Sequence, residues 1–377
     1  MPLPCDFTAL AAPGVRGLTP YQPGKPESEL KREYGLDSVV KLASNENPLG
    51  PSPKALEAVY ACLPELARYP DGNGFELKQA LSARLAVDAA RITLGNGSND
   101  VLELLARAFL TPAHNAVMSA HAFAVYPLAT LAVGAKLKTA PALAADSAMP
   151  YGHDLAAMRA LVDDDTRLVF IANPNNPTGT WLAPAELEAF IASLPAQVLC
   201  VLDEAYGEYM SPGQLPDSVG WLERYPNLVI TRTFSKAYGL AGLRVGYALA
   251  HAQVTDLLNR VRQPFNVNLP ALTAATAALG DAAYLAEAVA LNRSGLQQWQ
   301  DGLTALGLGW LPSAGNFLCV DLKGRSGREL FQRLLPKGVI LRPVDNYGLP
   351  GHIRVTLGTG RENAIALAAL GEVLAAG

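Results

Sequence analysis

Cysteine is scarce in these 377 residues, with four (Cys5, Cys62, Cys200 and Cys319) and no CxxC pair among them. Such spacing excludes a disulfide scaffold and suits a reducing, cytoplasmic setting. Cys200 and Cys319 stand in the apolar runs "VLCVLDEAY" and "NFLCVDL" and read as small buried hydrophobes. The five histidines, His114, His121, His153, His251 and His352, lack HExxH or any comparable ligand spacing, so no metal is expected. Aromatic residues make up only 7% of a chain that is 50% hydrophobic, which leaves Ala, Leu and Val to fill a core of helices packed on a buried sheet. Neither charge dominates: 30 Lys and Arg stand against 34 Asp and Glu, and no basic run is present. A nucleic-acid partner is therefore not expected. Long hydrophobic runs are missing too. The most apolar region, "HAFAVYPLATLAVGAKL", is broken by His and Pro and falls short of the ~20 residues that span a bilayer. The start, "MPLPCDFTAL", has no basic segment followed by an apolar one, so no signal peptide and no membrane partner are expected.

What is present is an alternation. Pro, Gly and charge crowd "GLTPYQPGKPESELKREYG", which reads as an N-terminal arm over residues 1–44. Beyond it, "RITLG", "NAVMSA", "TRLVFIANP", "QVLCVLDEAY" and "NLVITRTFS" are apolar runs of strand length separated by helical patterns. Runs apolar on both faces imply a mostly parallel sheet covered by helices on both sides. The length exceeds that of a typical single domain. This places a large α/β domain over residues 45–265. A smaller α+β domain over 266–377 opens with a long Ala-rich helical stretch, roughly 270–305, and carries "NFLCVDL", "GVILRPV" and "HIRVTLG".

Ligands of open parallel sheets bind beyond the carboxyl ends of the strands, where "GNGSND", "NPNNPTG", "DEAY" and "TFSK" stand. In "LGNGSND", backbone amides with Ser98 and Asn99 suit a phosphate. A dinucleotide fingerprint is disfavoured by Asp100 at the place of the third glycine, and by the lack of an acidic residue ending "NAVMSAHA". Asp203 ends a buried strand, either as a helix cap or as the carboxylate partner of a protonated ring nitrogen, as pyridoxal phosphate requires. "NPNNPTG" is a rigid turn whose asparagine amide can also donate to a phenolate oxygen, with Tyr206 as a second donor. Lys236, in an otherwise small, aromatic and apolar run, is a snorkelling lysine or one whose amine bonds a carbonyl. Thr233, Ser235 and Arg244 beside it form a phosphate clamp.

These motifs, with "LASNENPLGPSP", "RYPDGNG" and "LRPV...GHIRVTLGT", resemble the fold-type I aminotransferases that use pyridoxal 5'-phosphate, and among them the histidinol-phosphate aminotransferase subfamily. The likeness runs from Tyr21 to the end. It implies that Lys236 bonds the cofactor carbonyl and removes the substrate Cα proton, and that Asp203 pairs with the pyridinium. It also implies that Asn176 and Tyr206 bind the ring oxygen and that Phe123 stacks on the ring. Ser98, Asn99, Thr233, Ser235 and Arg244 would hold the cofactor phosphate, with Tyr69 reaching that of a neighbouring subunit in a homodimer. For substrates, it implies that Arg354 binds the glutamate carboxylate, Arg342 and Tyr21 bind the histidinol-phosphate phosphate, and Asn45 and Asn316 line the pocket. The expected partners are a small-molecule amino donor and an oxo-acid. An aromatic-amino-acid aminotransferase and a phosphothreonine-type decarboxylase share most of these residues and stand as alternatives. A cofactor-binding regulator would need a DNA-binding module for which there is no spare length.

Overall fold

The computed structural model describes residues 5–20 and 24–376. Seven strands form the large sheet, in spatial order Ile92–Gly95, Gly246–Leu249, Leu228–Thr233, Leu199–Asp203, Thr166–Ala172, Asn115–Ser119 and Lys136–Ala140. All neighbours run parallel except Gly246–Leu249, which is antiparallel on both sides. The expected α/β architecture, mostly parallel, is present, mixed through this one strand. Successive side chains of a strand point to opposite faces, and the two faces bury different sets. Val169, Ile171, Cys200, Leu202 and Ile230 join one core. Leu168, Phe170, Leu199, Val201 and Val229 join the other. Lys136–Ala140, where lysines alternate with smaller residues, lies at the sheet edge, a place where lysine blocks further pairing.

The single helical stretch expected over 270–305 is two helices, Leu269–Leu279 and Ala282–Ala305, bent by 84° at the break. Asn268 caps the first by accepting from the Ala271 amide, Pro270 stands in its first turn, and Gly280 ends it. Alanine on every side hides the break, because no polar stripe is interrupted. The first helix buries Ala271, Ala274 and Ala275 in the large core, whereas Trp299 and Leu303 of the second pack under the small sheet. No single helix among the described residues is long and apolar enough to cross a membrane.

The small sheet orders Arg342–Pro343, His352–Thr356, Phe317–Asp321 and Gly309–Trp310, all antiparallel. "GVILRPV", expected as one run, divides in two. Val339–Ile340 pairs in parallel with Val40–Lys41 of the N-terminal segment, and Arg342–Pro343 pairs with His352–Thr356. That division ties the N-terminal segment to the small sheet and sets Arg342 directly opposite Arg354.

Candidate active site

A cavity of about 390 Å³ opens at the carboxyl ends of Leu199–Asp203 and Leu228–Thr233, walled on its far side by Arg342 and Arg354 of the small sheet. Ser98, Asn99, Phe123, Asn176, Asp203, Tyr206, Thr233, Ser235, Lys236, Arg244 and Asn45 also line it.

One end is built for an anion. Gly97, at φ +80°, precedes the helix Ser98–Phe109, so amides of the first turn face the cavity with the positive end of the helix dipole. A Cβ at Gly97 would lie 2.5 Å from Arg244 Nη2, and one at Gly246 would lie 2.5 Å from the Ser98 amide nitrogen. Only glycine lets these groups converge. Asp100 holds the loop from behind, accepting from the Asn96 amide at 2.9 Å and from Asn266 Nδ2 at 2.8 Å. Thr233 Oγ1 donates to Ser235 Oγ at 3.0 Å, and Arg244 Nη1 donates to that same oxygen at 3.4 Å.

At the cavity floor, Asp203 is buried, and its Oδ2 accepts from the Tyr126 hydroxyl at 2.8 Å. Oδ1 has no hydrogen-bond partner among the described residues. Burial raises the Asp203 pKa, and the Tyr126 hydroxyl acts against that rise.

The three asparagines of "NPNNPTG" separate by role. Asn173 Oδ1 accepts from the Leu182 amide, and Asn175 Nδ2 donates to the His121 carbonyl and to Thr178. Both therefore pin the loop, in which the bonds before Pro174 and Pro177 are cis. Asn176 alone reaches the cavity, its Oδ1 accepting from Arg354 Nη1. Tyr206 accepts from Asn45 Nδ2 at 2.9 Å, and burial lifts its pKa to about 12, so it keeps its own proton to donate.

Lys236 Nζ donates to the Ser44 carbonyl at 3.3 Å and lies 5.6 Å from the Tyr206 ring centroid. Burial lowers its pKa from 10.5 to about 8, and the Arg354 guanidinium adds to the effect. This is an amine poised to lose its proton near neutral pH. Arg354, itself buried, also donates through Nη2 to the Ala43 carbonyl at 2.7 Å, while its Nε has no hydrogen-bond partner among the described residues. Because Arg342 and Arg354 are register partners, both side chains stand on one face of the small sheet. Like charges directly opposite are destabilising unless an anion joins them.

Among the expected site residues, Tyr21 lies outside the described residues. Tyr69 is 82% exposed and stacks on Phe265 with ring centroids 4.6 Å apart, away from the cavity of its own chain. Asn316 is not among the residues that line the cavity; its Nδ2 donates to the Asn45 carbonyl at 3.0 Å. Tyr126 and Tyr347, not anticipated, line the cavity. Tyr126 carried no signal beyond its place in "HAFAVY", since its partner Asp203 is 77 residues away. Among the described residues no group of three His, Cys, Asp or Glu could hold a metal ion.

Residues 37–370 match the family profile "Aminotransferase class I and II". A "Histidinol-phosphate aminotransferase 2" of Pseudomonas aeruginosa is 61% identical over 98% of this chain and 99% of its own length. Another of that name from Pseudomonas fluorescens is 59% identical over 99% of each. In solved structures, the histidinol-phosphate aminotransferase of Sinorhizobium meliloti, in complex with pyridoxal-5'-phosphate, superposes with a TM-score of 0.87. It is 30% identical, with 97% of each chain covered. The chain belongs to the class I and II aminotransferase family, alongside the histidinol-phosphate aminotransferases.

Proposed function

We propose that this enzyme transfers the amino group of L-histidinol phosphate to 2-oxoglutarate in histidine biosynthesis, giving imidazole-acetol phosphate and L-glutamate with pyridoxal 5'-phosphate as cofactor. The carrying observation is one cavity that gathers a lysine with a depressed pKa, a buried aspartate with an oxygen unpartnered among the described residues, an anion cradle and two opposed arginines. The names of relatives about 60% identical support the same reading.

The residues fit the cofactor. Among the described residues Asp203 Oδ1 is a buried acceptor without a hydrogen-bond donor, which suits a ring N–H. The Asn176 amide nitrogen and the Tyr206 hydroxyl suit the ring oxygen, and Phe123 at the cavity wall suits the ring face. The Gly97 cradle, with Ser98, Asn99, Thr233, Ser235 and Arg244, suits the phosphate. Lys236 would hold the cofactor covalently through its carbonyl. When bound, pyridoxal phosphate supplies an electron sink for the pair left by Cα–H cleavage.

The chain does the rest. Lys236 Nζ takes the proton from the donor Cα and, in the return half-reaction, gives one to the Cα of the new amino acid. Its pKa near 8 places both directions within reach of neutral pH. Arg354 binds the carboxylate of glutamate and, with Arg342 and Tyr21, the phosphate of histidinol phosphate. Two opposed arginines suit a dianion better than a single carboxylate, which favours a phosphate-bearing donor over an aromatic amino acid. Asn45, held by Asn316 and by Thr356, lines the substrate side.

The active unit is a homodimer. Leu66, Tyr69 and Phe75 are 54%, 82% and 59% exposed, large apolar side chains close in sequence that a second copy would cover. Tyr69 would there serve the cofactor phosphate of the other subunit. Light scattering should give twice the 39.8 kDa chain mass. A cytoplasmic location is in keeping with the four free cysteines.

The test is to mix cofactor-loaded protein with L-histidinol phosphate, without an oxo-acid, and follow the visible cofactor band. Stoichiometric bleaching that 2-oxoglutarate reverses is expected. A band that persists overturns the donor assignment, and release of carbon dioxide would identify a decarboxylase instead.

A further inference from the structure

Tyr126 is a fully buried phenol whose hydroxyl contributes nothing to packing. Its ring stacks on Phe170, with centroids 4.8 Å apart and planes 5° apart, and phenylalanine would make the same contact. Burying a hydroxyl costs free energy unless it finds a partner, and the partner here is Asp203 Oδ2 at 2.8 Å. Phe170 and Asp203 lie on adjacent strands, Phe170 pairing with Val201 two residues before Asp203. The ring clamp and its target therefore belong to one rigid piece of sheet. Burial raises the tyrosine's pKa well above its ordinary value, so at neutral pH the hydroxyl can only donate toward a carboxylate.

We infer that Tyr126 is a positioning residue for the reaction: its hydroxyl engages Oδ2 of Asp203 so that Oδ1 is the oxygen presented to the ring nitrogen. The inference rests on the reading of Asp203 given above. A rotating carboxylate offers either oxygen or neither, whereas one with Oδ2 engaged has a fixed plane. The same hydrogen bond favours the ionised carboxylate that must face the pyridinium. Of the charged and titratable neighbours, Glu204 opposes that ionisation, while Lys236 and Tyr206 share the cavity with Asp203. Tyr126 donates to Oδ2 at 2.8 Å, and the Thr231 hydroxyl and the Ala205 amide also act toward ionisation.

Y126F keeps the stack and deletes the hydroxyl. Reconstituted with pyridoxal phosphate, it should bind the cofactor about 10-fold more weakly, the loss of one charge-assisted hydrogen bond. The acid-side midpoint of the affinity–pH curve should rise by about one unit. The kcat of both half-reactions should fall while KM for either amino donor holds. A packing role would move none of these in concert. A double-mutant cycle with D203N separates the two ideas. In D203N, further loss of the Tyr126 hydroxyl should add nothing to the change in cofactor dissociation constant. Equal Y126F effects in both backgrounds, or an unchanged dissociation constant and pH curve, overturn the positioning role. If D203N itself leaves cofactor affinity and turnover untouched, the reading of Asp203 fails and the inference falls with it.

Discussion

Arg354 Nη1 donates to Oδ1 of Asn176, joining a strand of the small sheet to the loop that follows Thr166–Ala172. A guanidinium can only donate, so it engages the oxygen end of the amide and leaves the NH₂ end for a ligand. Asn176→Asp would keep the acceptor and lose the donor. Cofactor affinity should drop about 10-fold, the worth of one hydrogen bond to a charged group. A spectral titration of apoprotein with pyridoxal phosphate reads this directly, and an unchanged curve would remove Asn176 from the cofactor's ring oxygen.

The opposed arginines predict a split between substrates. Arg342→Gln should lower kcat/KM for L-histidinol phosphate by about 10- to 100-fold, as losing a charged contact to phosphate does. Glutamate should change much less. Arg354→Gln should impair both donors, because this side chain also holds Asn176 and the Ala43 carbonyl. Single-turnover rates with each donor decide it, and equal losses from both variants would dissolve the division of labour.

Lys236 makes the apoprotein's stability depend on pH. Its folded-state pKa of about 8 lies below the 10.5 of the unfolded chain. Between those values the unfolded state binds more protons, so stability rises with pH across that window and is lost as pH falls through 8. Lys236→Met should therefore stabilise the apoprotein at pH 7 by about 2 kcal/mol, after allowance for the partial opening of the amine to water. The gain should vanish toward pH 10.5. Thermal midpoints of the two apoproteins at pH 7 and pH 10 are the measurement, and a difference constant with pH would contradict it.

Gly97→Ala places a methyl where Arg244 Nη2 lies, at a backbone φ of +80° that side chains rarely adopt. The expected result is a cofactor dissociation constant raised at least ~10-fold through the displaced guanidinium, with the sheet beneath intact by circular dichroism. Inorganic phosphate should protect the parent protein from heat and do so less in the variant.

Much of this site was legible because each piece ends a strand whose own pattern is strong. Asp203 closes five consecutive buried residues, and Lys236 follows a strand that reads equally plainly. What escaped the sequence depends on contacts between distant segments. The break at Gly280 is invisible within a run of alanines. The short antiparallel strand Gly246–Leu249 is masked by the lysine motif that it closes. Asn316, expected to line the pocket, is one layer back, its amide donating to the Asn45 carbonyl, a contact across 271 residues that no local motif signals. Nothing in the sequence singles out Tyr126, a helix residue whose hydroxyl meets a carboxylate at the end of a strand 77 residues on.

The far wall of the cavity joins two ends of the chain: the Asn45 amide donates to Thr356 Oγ1 at 2.9 Å, across 311 residues. Protein synthesis proceeds from the N-terminus at roughly 5–20 residues per second, so the two partners emerge about 15–60 s apart. Through that interval the first wall is present and its counterpart has not been made. Capture of any small molecule there is thus an event in the life of the finished chain, and the last strand is what makes a half-built cleft into an enclosed chamber.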